Sequence, residues 1–220
     1  MAVADPTLQL EFELLAGGAH YVIGCDEVGR GAIAGPVAVG MCAIDANVGS
    51  FPPGLRDSKM LSEKRREELA PRAAEWAVHS AVGLASAEEV DRLGITACLG
   101  LAGKRALAAL YEGGIRVLES VVLLDGQQDW LNPALTAKLA VQTRVKADRD
   151  CASVAAASVI AKVHRDGLMI QAGEREPGYG WSGNKGYGAA AHFAAIEELG
   201  TSSLHRLSWL KPRAVLSETA

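Results

Sequence analysis

Residues 21–44, YVIGCDEVGRGAIAGPVAVGMCAI, contain two short apolar segments on either side of a glycine-rich stretch. Apolar runs of this length, bounded by glycine, predict buried β-strands over residues 21–25 and 36–44. The stretch between them, GRGAIAG, is too rich in glycine for regular structure and too short to be a linker. We therefore expect the two strands to form an antiparallel hairpin.

The rest of the chain alternates between short apolar runs and segments with helical periodicity. Buried central strands are predicted over residues 121–125 and 141–145, a further strand over 79–85, and helices over 7–15, 95–111, 154–170 and 189–199. SAEE at residues 86–89 is a capping-box sequence and predicts the start of another helix. This order of elements favours an α/β fold with a mixed central sheet and helices on its faces.

Proline and glycine mark two further local features. Ser62 begins a charged segment with helical character, and Pro71 lies inside it. A proline there removes a backbone donor and clashes with the preceding turn, so we expect a break near Ala70. Residues 173–188 are rich in glycine and predict a loop, and Gly200 is expected to end the last helix.

Composition excludes several classes of protein. Of the 220 residues, 49% are hydrophobic and 22% are charged, which is typical of a globular chain rather than a disordered one. The formal net charge of −4 argues against a protein coated in basic charge. The four cysteines form no Cys-x-x-Cys pair, so buried free thiols are expected. With no signal-like start and no run of about 18 apolar residues, the protein is expected to be soluble and cytoplasmic.

Four acidic residues follow short apolar strands: Asp26, Glu27, Asp125 and Asp148. The ends of strands in one sheet can bring such side chains together, although Asp26 and Glu27 share a face only if the strand ends between them. Carboxylates in so apolar a setting need compensation, which a divalent cation supplies. Oxygen ligands without histidine or cysteine indicate Mg²⁺ or Mn²⁺, and four carboxylates suit a two-metal site for phosphoryl chemistry. The alternative is that all four are ordinary turn residues.

Gly29, Arg30 and Gly31 follow the acidic pair directly. Glycine lets a ligand approach the backbone closely, and the arginine offers a planar fork to a phosphate. A backbone group at hydrogen-bond distance can also sense the 2′-hydroxyl that distinguishes RNA from DNA. The same three residues alone would fit a flexible turn, but their position beside the acids favours a nucleic-acid site.

Further motifs follow this segment in a fixed order. They are DSK at 57–59 with LSEK at 61–64, LDG at 124–126, KAD at 146–148, AAASVIAK at 155–162 with RD at 165–166, NKGY at 184–187, and His192, His205 and Arg206. Together with GCDEVGRG at 24–31 and GPV at 35–37, they resemble bacterial ribonuclease HII from about residue 21 to residue 209. The chain departs from that family at Gly188, where proline is frequent, and at Trp209, where phenylalanine is usual.

The resemblance implies an RNase H-like fold with a small helical C-terminal extension, in a single catalytic domain over residues 1–220. Its core would span about residues 1–170, and a substrate-contacting loop and helical segment about residues 171–220. The implied activity is endonucleolytic cleavage of the RNA strand of RNA/DNA hybrids and incision on the 5′ side of single ribonucleotides in duplex DNA, which initiates ribonucleotide removal. A two-metal mechanism would leave 3′-hydroxyl and 5′-phosphate ends.

The resemblance also implies roles for individual residues. It assigns catalysis and the Mn²⁺ or Mg²⁺ ions to the four acids, Asp26, Glu27, Asp125 and Asp148. It implies that Gly29, Arg30 and Gly31 recognise the ribonucleotide 2′-hydroxyl and its phosphate, that Tyr187 packs on the adjoining deoxyribose, and that Lys59 contacts the nucleic-acid backbone. Gly188 is expected to loosen the position of Tyr187. The implied partners are RNA/DNA hybrids and ribonucleotide-containing duplexes, without a membrane, for a monomeric protein.

Two other functions stay open at this point. Another RNase H-like nuclease, such as a Holliday-junction resolvase or an integrase, would use the same acids without needing Gly-Arg-Gly. A catalytically silent module would bind hybrids without cutting them. Cleavage of a duplex that contains one ribonucleotide, compared with an all-DNA duplex, separates these functions.

Overall fold

A computed structural model describes residues 5–210, in which five strands form one mixed sheet. The strands are β1 (Tyr21–Val28), β2 (Val37–Ile44), β3 (His79–Ala85), β4 (Ser120–Asp125) and β5 (Ala140–Arg144), in the spatial order β3-β2-β1-β4-β5. β1 and β2 form the predicted antiparallel hairpin, and β3 continues it. β1 pairs with β4 in parallel, as β4 does with β5, so the C-terminal ends of β1 and β4 lie side by side.

Helices cover both faces of this sheet. They are α1 (Gln9–Ala16), α2 (Glu63–Trp76), α3 (Ala87–Leu93), α4 (Ile95–Glu112), α5 (Ala147–Asp150), α6 (Ala152–Arg175), α7 (Trp181–Asn184) and α8 (Ala190–Leu199). One apolar core lies between the sheet and α4, and a second lies between the sheet and the pair α2 and α6. The mixed sheet with flanking helices confirms the predicted α/β class.

Glycines in β1 and β2 bring α6 unusually close to the sheet. A Cβ atom added at Gly24 would lie 2.2 Å from the carbonyl carbon of Ser153, and one at Gly40 would lie 2.4 Å from the carbonyl oxygen of Ala157. The facing side chains of α6 are small, and Ala157 itself is fully buried. Backbone therefore packs against backbone here, which fixes the distance between α6 and the strands that carry Asp26.

α2 runs without interruption from Glu63 to Trp76, so the break predicted near Ala70 is wrong. Pro71 lies on the exposed side of the helix. The carbonyl of Glu67, which loses its helical donor there, belongs to an exposed residue and is open to water. Leu69, Ala70 and Ala73 are buried against the second core, and this packing holds the helix together across the proline.

Two predictions for the second half of the chain are also wrong. The apolar pattern of residues 141–145 predicts a buried central strand, but β5 is an edge strand whose residues alternate between exposed and half-buried. The loop predicted over residues 173–188 is interrupted, because α6 continues to Arg175 and α7 adds a helical turn. α6 is longer than predicted because Met169 and Ala172 are buried against Tyr179 and Trp181.

All four cysteines are buried free thiols, as predicted. Within the described part of the chain, no helix combines the length and the apolar character needed to cross a membrane. The predicted domain of residues 1–220 extends at both ends beyond the described range, and its residues 1–4 and 211–220 lie outside it.

Candidate active site

A cleft of about 380 Å³ opens where β1 and β4 end. Eight of the nine predicted site residues line it: Asp26, Glu27, Gly29, Arg30, Gly31, Lys59, Asp125 and Tyr187. The ninth, Asp148, joins the cleft through an ion pair of 3.2 Å between its Oδ2 and Nζ of Lys59. Residues that are far apart in sequence therefore come together at one edge of the sheet.

Asp26 and Asp125 are neighbours because their strands are parallel. The last pair in the register joins Cys25 to Leu124, which places the two aspartates one residue further on, side by side and on the α6 face. Asp26 is only 3% exposed, and its Oδ1 accepts a hydrogen bond of 2.8 Å from the backbone N–H of Glu27. Oδ1 of Asp125 accepts one of 2.8 Å from the N–H of Ala147.

Glu27 reaches the cleft by a different route from the one predicted. β1 continues to Val28, so the predicted strand end between Asp26 and Glu27 is wrong and the two residues leave opposite faces. β4 ends at Asp125, so the edge of β1 is uncovered beyond that level and the long side chain of Glu27 lines the cleft. Its Oε1 lies 3.3 Å from Nη1 of Arg30.

Asp148 follows β5 as predicted, and it lies in the single-turn helix α5, which the sequence pattern did not predict. Lys146, which precedes this turn, adopts a left-handed conformation with φ of 61°. That conformation is unfavourable for a residue with a side chain and redirects the chain away from β5. The turn places Asp148, which is 4% exposed, against Lys59.

The electrostatics of the cleft reflect an excess of negative charge. Burial raises the pKa of Asp26 from 3.8 to about 8, and the charges of Glu27 and Asp125 add to this effect, whereas Ser158 and Lys59 oppose it. Burial likewise raises the pKa values of Glu27 and Asp148. Burial lowers the pKa of Lys59, but the charges of Asp26, Asp148 and Asp57 outweigh it and raise that pKa above its ordinary value. The carboxylates therefore repel one another and attract cations.

The donor chemistry of this cleft fits a hard divalent cation, because carboxylate oxygens are the ligands that Mg²⁺ and Mn²⁺ prefer. The side-chain arrangement is less compact than a bound ion requires. Within residues 5–210, no three histidine, cysteine or acidic side chains are grouped closely enough to hold a metal as they stand. One of the four carboxylates, that of Asp148, is paired with the ammonium group of Lys59.

The backbone of Gly29, Arg30 and Gly31 forms one wall of the cleft. Gly29 has φ of 81°, and a Cβ atom there would lie 2.0 Å from Nε of Arg165, so only glycine fits. The carbonyls of Gly29 and Arg30 accept hydrogen bonds from Arg206. Within the described residues, the N–H groups of Gly29, Arg30 and Gly31 donate to no protein acceptor. This wall therefore offers free donors to a ligand.

Tyr187 also lines the cleft, with 37% of its surface exposed. The Arg165 guanidinium carbon lies 5.4 Å from the centre of its ring, and Nζ of Lys162 lies 5.6 Å from it. The Tyr187 backbone is fixed, because its N–H donates to Asn184 at 2.9 Å and its carbonyl lies 2.9 Å from Nδ1 of His192. The loosening expected from Gly188 is therefore opposed by hydrogen bonds to Tyr187 itself.

Sequence reasoning missed the part played by two serines. Ser58 lines the cleft, and its hydroxyl lies 2.9 Å from that of Ser158, whose side chain lowers the pKa of Asp26. The sequence feature that could have indicated this role is a serine on the buried, apolar face of α6, because a buried hydroxyl needs a hydrogen-bond partner. Both residues lie inside quoted motifs, DSK and AAASVIAK, but no role was apparent without their contact.

Comparisons with known proteins agree with this geometry. The protein-family model described as Ribonuclease HII matches residues 23–211. A protein of Streptomyces avermitilis named Ribonuclease HII is 45% identical over 210 residues, which cover 95% of this chain and 85% of that protein. The crystal structure of ribonuclease H2 from Pyrococcus horikoshii OT3 has a TM-score of 0.69 and 25% identity, and the match covers 86% of this chain and 93% of the other.

A second solved structure, that of Bst-RNase HIII in complex with Mn²⁺, has a TM-score of 0.70 and 25% identity. The match covers 91% of this chain and 70% of that one. These structural neighbours confirm the predicted RNase H-like fold.

Proposed function

The chain belongs to the ribonuclease HII family and is a ribonuclease H that acts on RNA/DNA hybrids, and from this premise we propose that it also incises duplex DNA on the 5′ side of a single embedded ribonucleotide. The observation that carries this proposal is the position of the free N–H groups of Arg30 and Gly31, which line the same cleft as Asp26 and Asp125. Donors at a fixed backbone can sense a 2′-hydroxyl next to the bond that is cut.

We propose that the cleavage depends on Mg²⁺ or Mn²⁺ held by Asp26, Glu27, Asp125 and Asp148. The hard oxygen donors and the raised pKa of Asp26 support this, as does the Mn²⁺ bound to the neighbour Bst-RNase HIII. When bound, two such ions lower the pKa of an attacking water and stabilise the leaving oxygen. Hydrolysis of this kind leaves 3′-hydroxyl and 5′-phosphate ends.

The chain's own groups would orient the substrate around these carboxylates. Arg30, whose guanidinium is paired with Glu27, can exchange that partner for a phosphate of the ribonucleotide. The half-exposed ring of Tyr187 offers a flat surface to the adjoining deoxyribose. Tyr187 belongs to the segment after residue 170, which we propose contacts the substrate as part of the same catalytic unit.

Lys59 is proposed to contact a backbone phosphate, and Lys59→Ala tests this. Its side chain is 72% exposed, so its ammonium can reach a phosphate while it remains near Asp148. We expect KM to rise about tenfold and the slope of log KM against log salt concentration to fall by about one, as for the loss of one phosphate contact. Steady-state kinetics between low and moderate salt measure both quantities.

Lys104→Ala is the control for that variant, because Lys104 is exposed on α4, outside the cleft. It should leave both KM and the salt dependence unchanged. An unchanged salt slope in Lys59→Ala would contradict the proposed phosphate contact.

The substrate proposal is tested with two duplexes of identical sequence, one all-DNA and one with a single ribonucleotide, each incubated with and without Mg²⁺ or Mn²⁺. We expect one metal-dependent cut, on the 5′ side of the ribonucleotide, and no cut in the all-DNA duplex. Equal cutting of both duplexes would favour another RNase H-like nuclease. Binding without cutting would indicate a catalytically silent module.

A further inference from the structure

Two fully buried arginines, Arg165 and Arg206, lie behind the wall of the cleft formed by residues 29–31, and both are 0% exposed. Neither forms an ion pair with an acidic group in the described part of the chain. A buried charge is costly unless its hydrogen-bonding capacity is satisfied. Both guanidinium groups instead donate to backbone carbonyls. Their contacts therefore concern the path of the backbone.

Arg206 joins the two ends of the glycine-rich turn. Its Nη2 donates to the carbonyl of Gly29 at 2.8 Å, and its Nη1 donates to that of Arg30 at 3.1 Å. Nε and Nη2 both donate to the carbonyl of Gly35, at 3.2 and 3.1 Å. The ring of Trp209 lies 5.0 Å from the guanidinium carbon and covers it. One planar fork thus holds three carbonyls.

These contacts fix the direction of the free donors. In a planar trans peptide the C=O and the following N–H point to opposite sides. When Arg206 holds the carbonyls of Gly29 and Arg30, it aims the N–H groups of Arg30 and Gly31 away from the protein core. Those two N–H groups have no protein acceptor within residues 5–210, and both residues are exposed in the wall of the cleft.

Arg165 holds a different part of the backbone. Its three donors reach the carbonyls of Ala34, Pro36 and Lys185, and none of them reaches Gly29 or Arg30. Among the described residues, Arg206 is the only side chain that donates to the carbonyls of Gly29 and Arg30, and the Gly29 carbonyl also accepts from the N–H of Ala32 at 3.2 Å. A lysine in place of Arg206 would present one ammonium group and could not reproduce the fork.

We propose that Arg206 is a positioning residue for ribonucleotide recognition, which sets the orientation of the Arg30 and Gly31 N–H groups without touching the substrate. This inference rests on the proposed function, since it assumes that those N–H groups discriminate a ribonucleotide from a deoxyribonucleotide. It predicts that the loss of the fork weakens discrimination specifically, rather than lowering affinity for every duplex.

The test compares wild type with Arg206→Lys on the two duplexes described above. The all-DNA duplex, which is not cut, serves as a competitive inhibitor, so the ratio of its Ki to the KM of the ribonucleotide duplex measures discrimination by the intact enzyme. We expect Arg206→Lys to raise that KM about tenfold, as for the loss of oriented hydrogen bonds, and to leave Ki within about twofold of wild type. Arg206→Gln, whose amide cannot span three carbonyls, should give the same result.

Leu110→Ala is the control for a loss of stability alone. Leu110 is fully buried on α4, close to Gly113. Gly113 lies beside His79, which begins β3. This end of the sheet is opposite to the end that carries Asp26. All variants are assayed below their unfolding transitions, as followed by circular dichroism. Leu110→Ala should unfold at a lower temperature than wild type and keep the wild-type ratio of Ki to KM.

The possible outcomes separate this inference from the function on which it rests. A wild-type ratio retained in the Arg206 variants, even with a lower kcat or melting temperature, would overturn the inference and leave the proposed function standing. Equal cutting of both duplexes by wild type would overturn the proposed function and the inference with it, whereas selective cutting by a wild type whose ratio of Ki to KM is near one would overturn the inference alone. A ratio that falls in the Arg206 variants but not in Leu110→Ala would support both.

Discussion

Asp26→Asn is expected to abolish cleavage and, in the metal-free protein, to stabilise the fold. The asparagine keeps an oxygen that can accept from the N–H of Glu27, but it removes the charge that holds a cation in the cleft. We expect kcat/KM to fall at least about 1,000-fold, which corresponds to several kcal/mol of metal-assisted catalysis. Single-turnover cleavage of the ribonucleotide duplex measures this loss.

The stability gain follows from the sign of the pKa shift. Because the pKa of Asp26 is raised from 3.8 to about 8, the folded protein keeps a proton that the unfolded chain has lost between these values. Wild type therefore loses stability as the pH rises from about 4 to about 8, and Asp26→Asn should lose less, because only the raised pKa values of Glu27 and Asp148 remain in the cleft. Urea unfolding at pH 5 and pH 8 without divalent metal compares the two proteins.

Asp45→Asn provides the matched control, because Asp45 follows β2 at the other end of the sheet and caps Asn47 in a way that asparagine can repeat. It should change neither activity nor the pH dependence of stability. Asp148→Asn should lose activity like Asp26→Asn, and normal cleavage by that variant would remove Asp148 from the proposed site. Normal cleavage by Asp26→Asn would refute the carboxylate site altogether.

Gly24→Ala is expected to destabilise the fold strongly, because the added methyl group meets backbone atoms of α6. The added Cβ would lie 2.2 Å from the carbonyl carbon of Ser153 and 2.4 Å from its oxygen, and these are backbone atoms that cannot rotate away. α6 would have to move off β1, at a cost of about 3 kcal/mol or more, the upper end of overpacking penalties. The change in urea midpoint at constant slope measures this cost.

Gly49→Ala adds the same methyl group where no atom lies within 4 Å, in a loop without positive φ. It should leave the free energy of unfolding within about 0.5 kcal/mol of wild type, as for an ordinary surface substitution. A Gly24→Ala protein as stable as Gly49→Ala would show that the contact between β1 and α6 is not close-packed.

Local sequence patterns predict those elements that local forces specify. The hairpin of β1 and β2 follows from two apolar runs around a glycine-rich turn, and the Ser86 capping box forms as predicted. The unbroken α2 could not be predicted, because the packing of Leu69 and Ala73 against α6 outweighs the local effect of Pro71. The edge position of β5 is likewise a property of the whole sheet, which its own apolar residues do not reveal.

In the candidate site, too, some features follow from the local sequence and others depend on the whole fold. The order of the motifs predicted the residues that line the cleft, since the charge of an acid and the conformational freedom of a glycine are known from the residue type alone. It did not predict how Glu27 and Asp148 arrive there, because this depends on where β4 ends and on the left-handed turn at Lys146. The function of Arg206 was also hidden, since an arginine far along the chain resembles any surface residue until its three carbonyl partners are known.

The hydrogen bond between Arg206 and the carbonyl of Gly29 spans 177 positions of the chain. A ribosome therefore makes the glycine-rich turn long before it makes Arg206. During synthesis the hydrogen bonds from Arg206 to this turn cannot form until Arg206 has emerged, although the β1–β2 hairpin can pair much earlier. The turn that faces the substrate is therefore among the first parts of the cleft to be translated and among the last to be held in place.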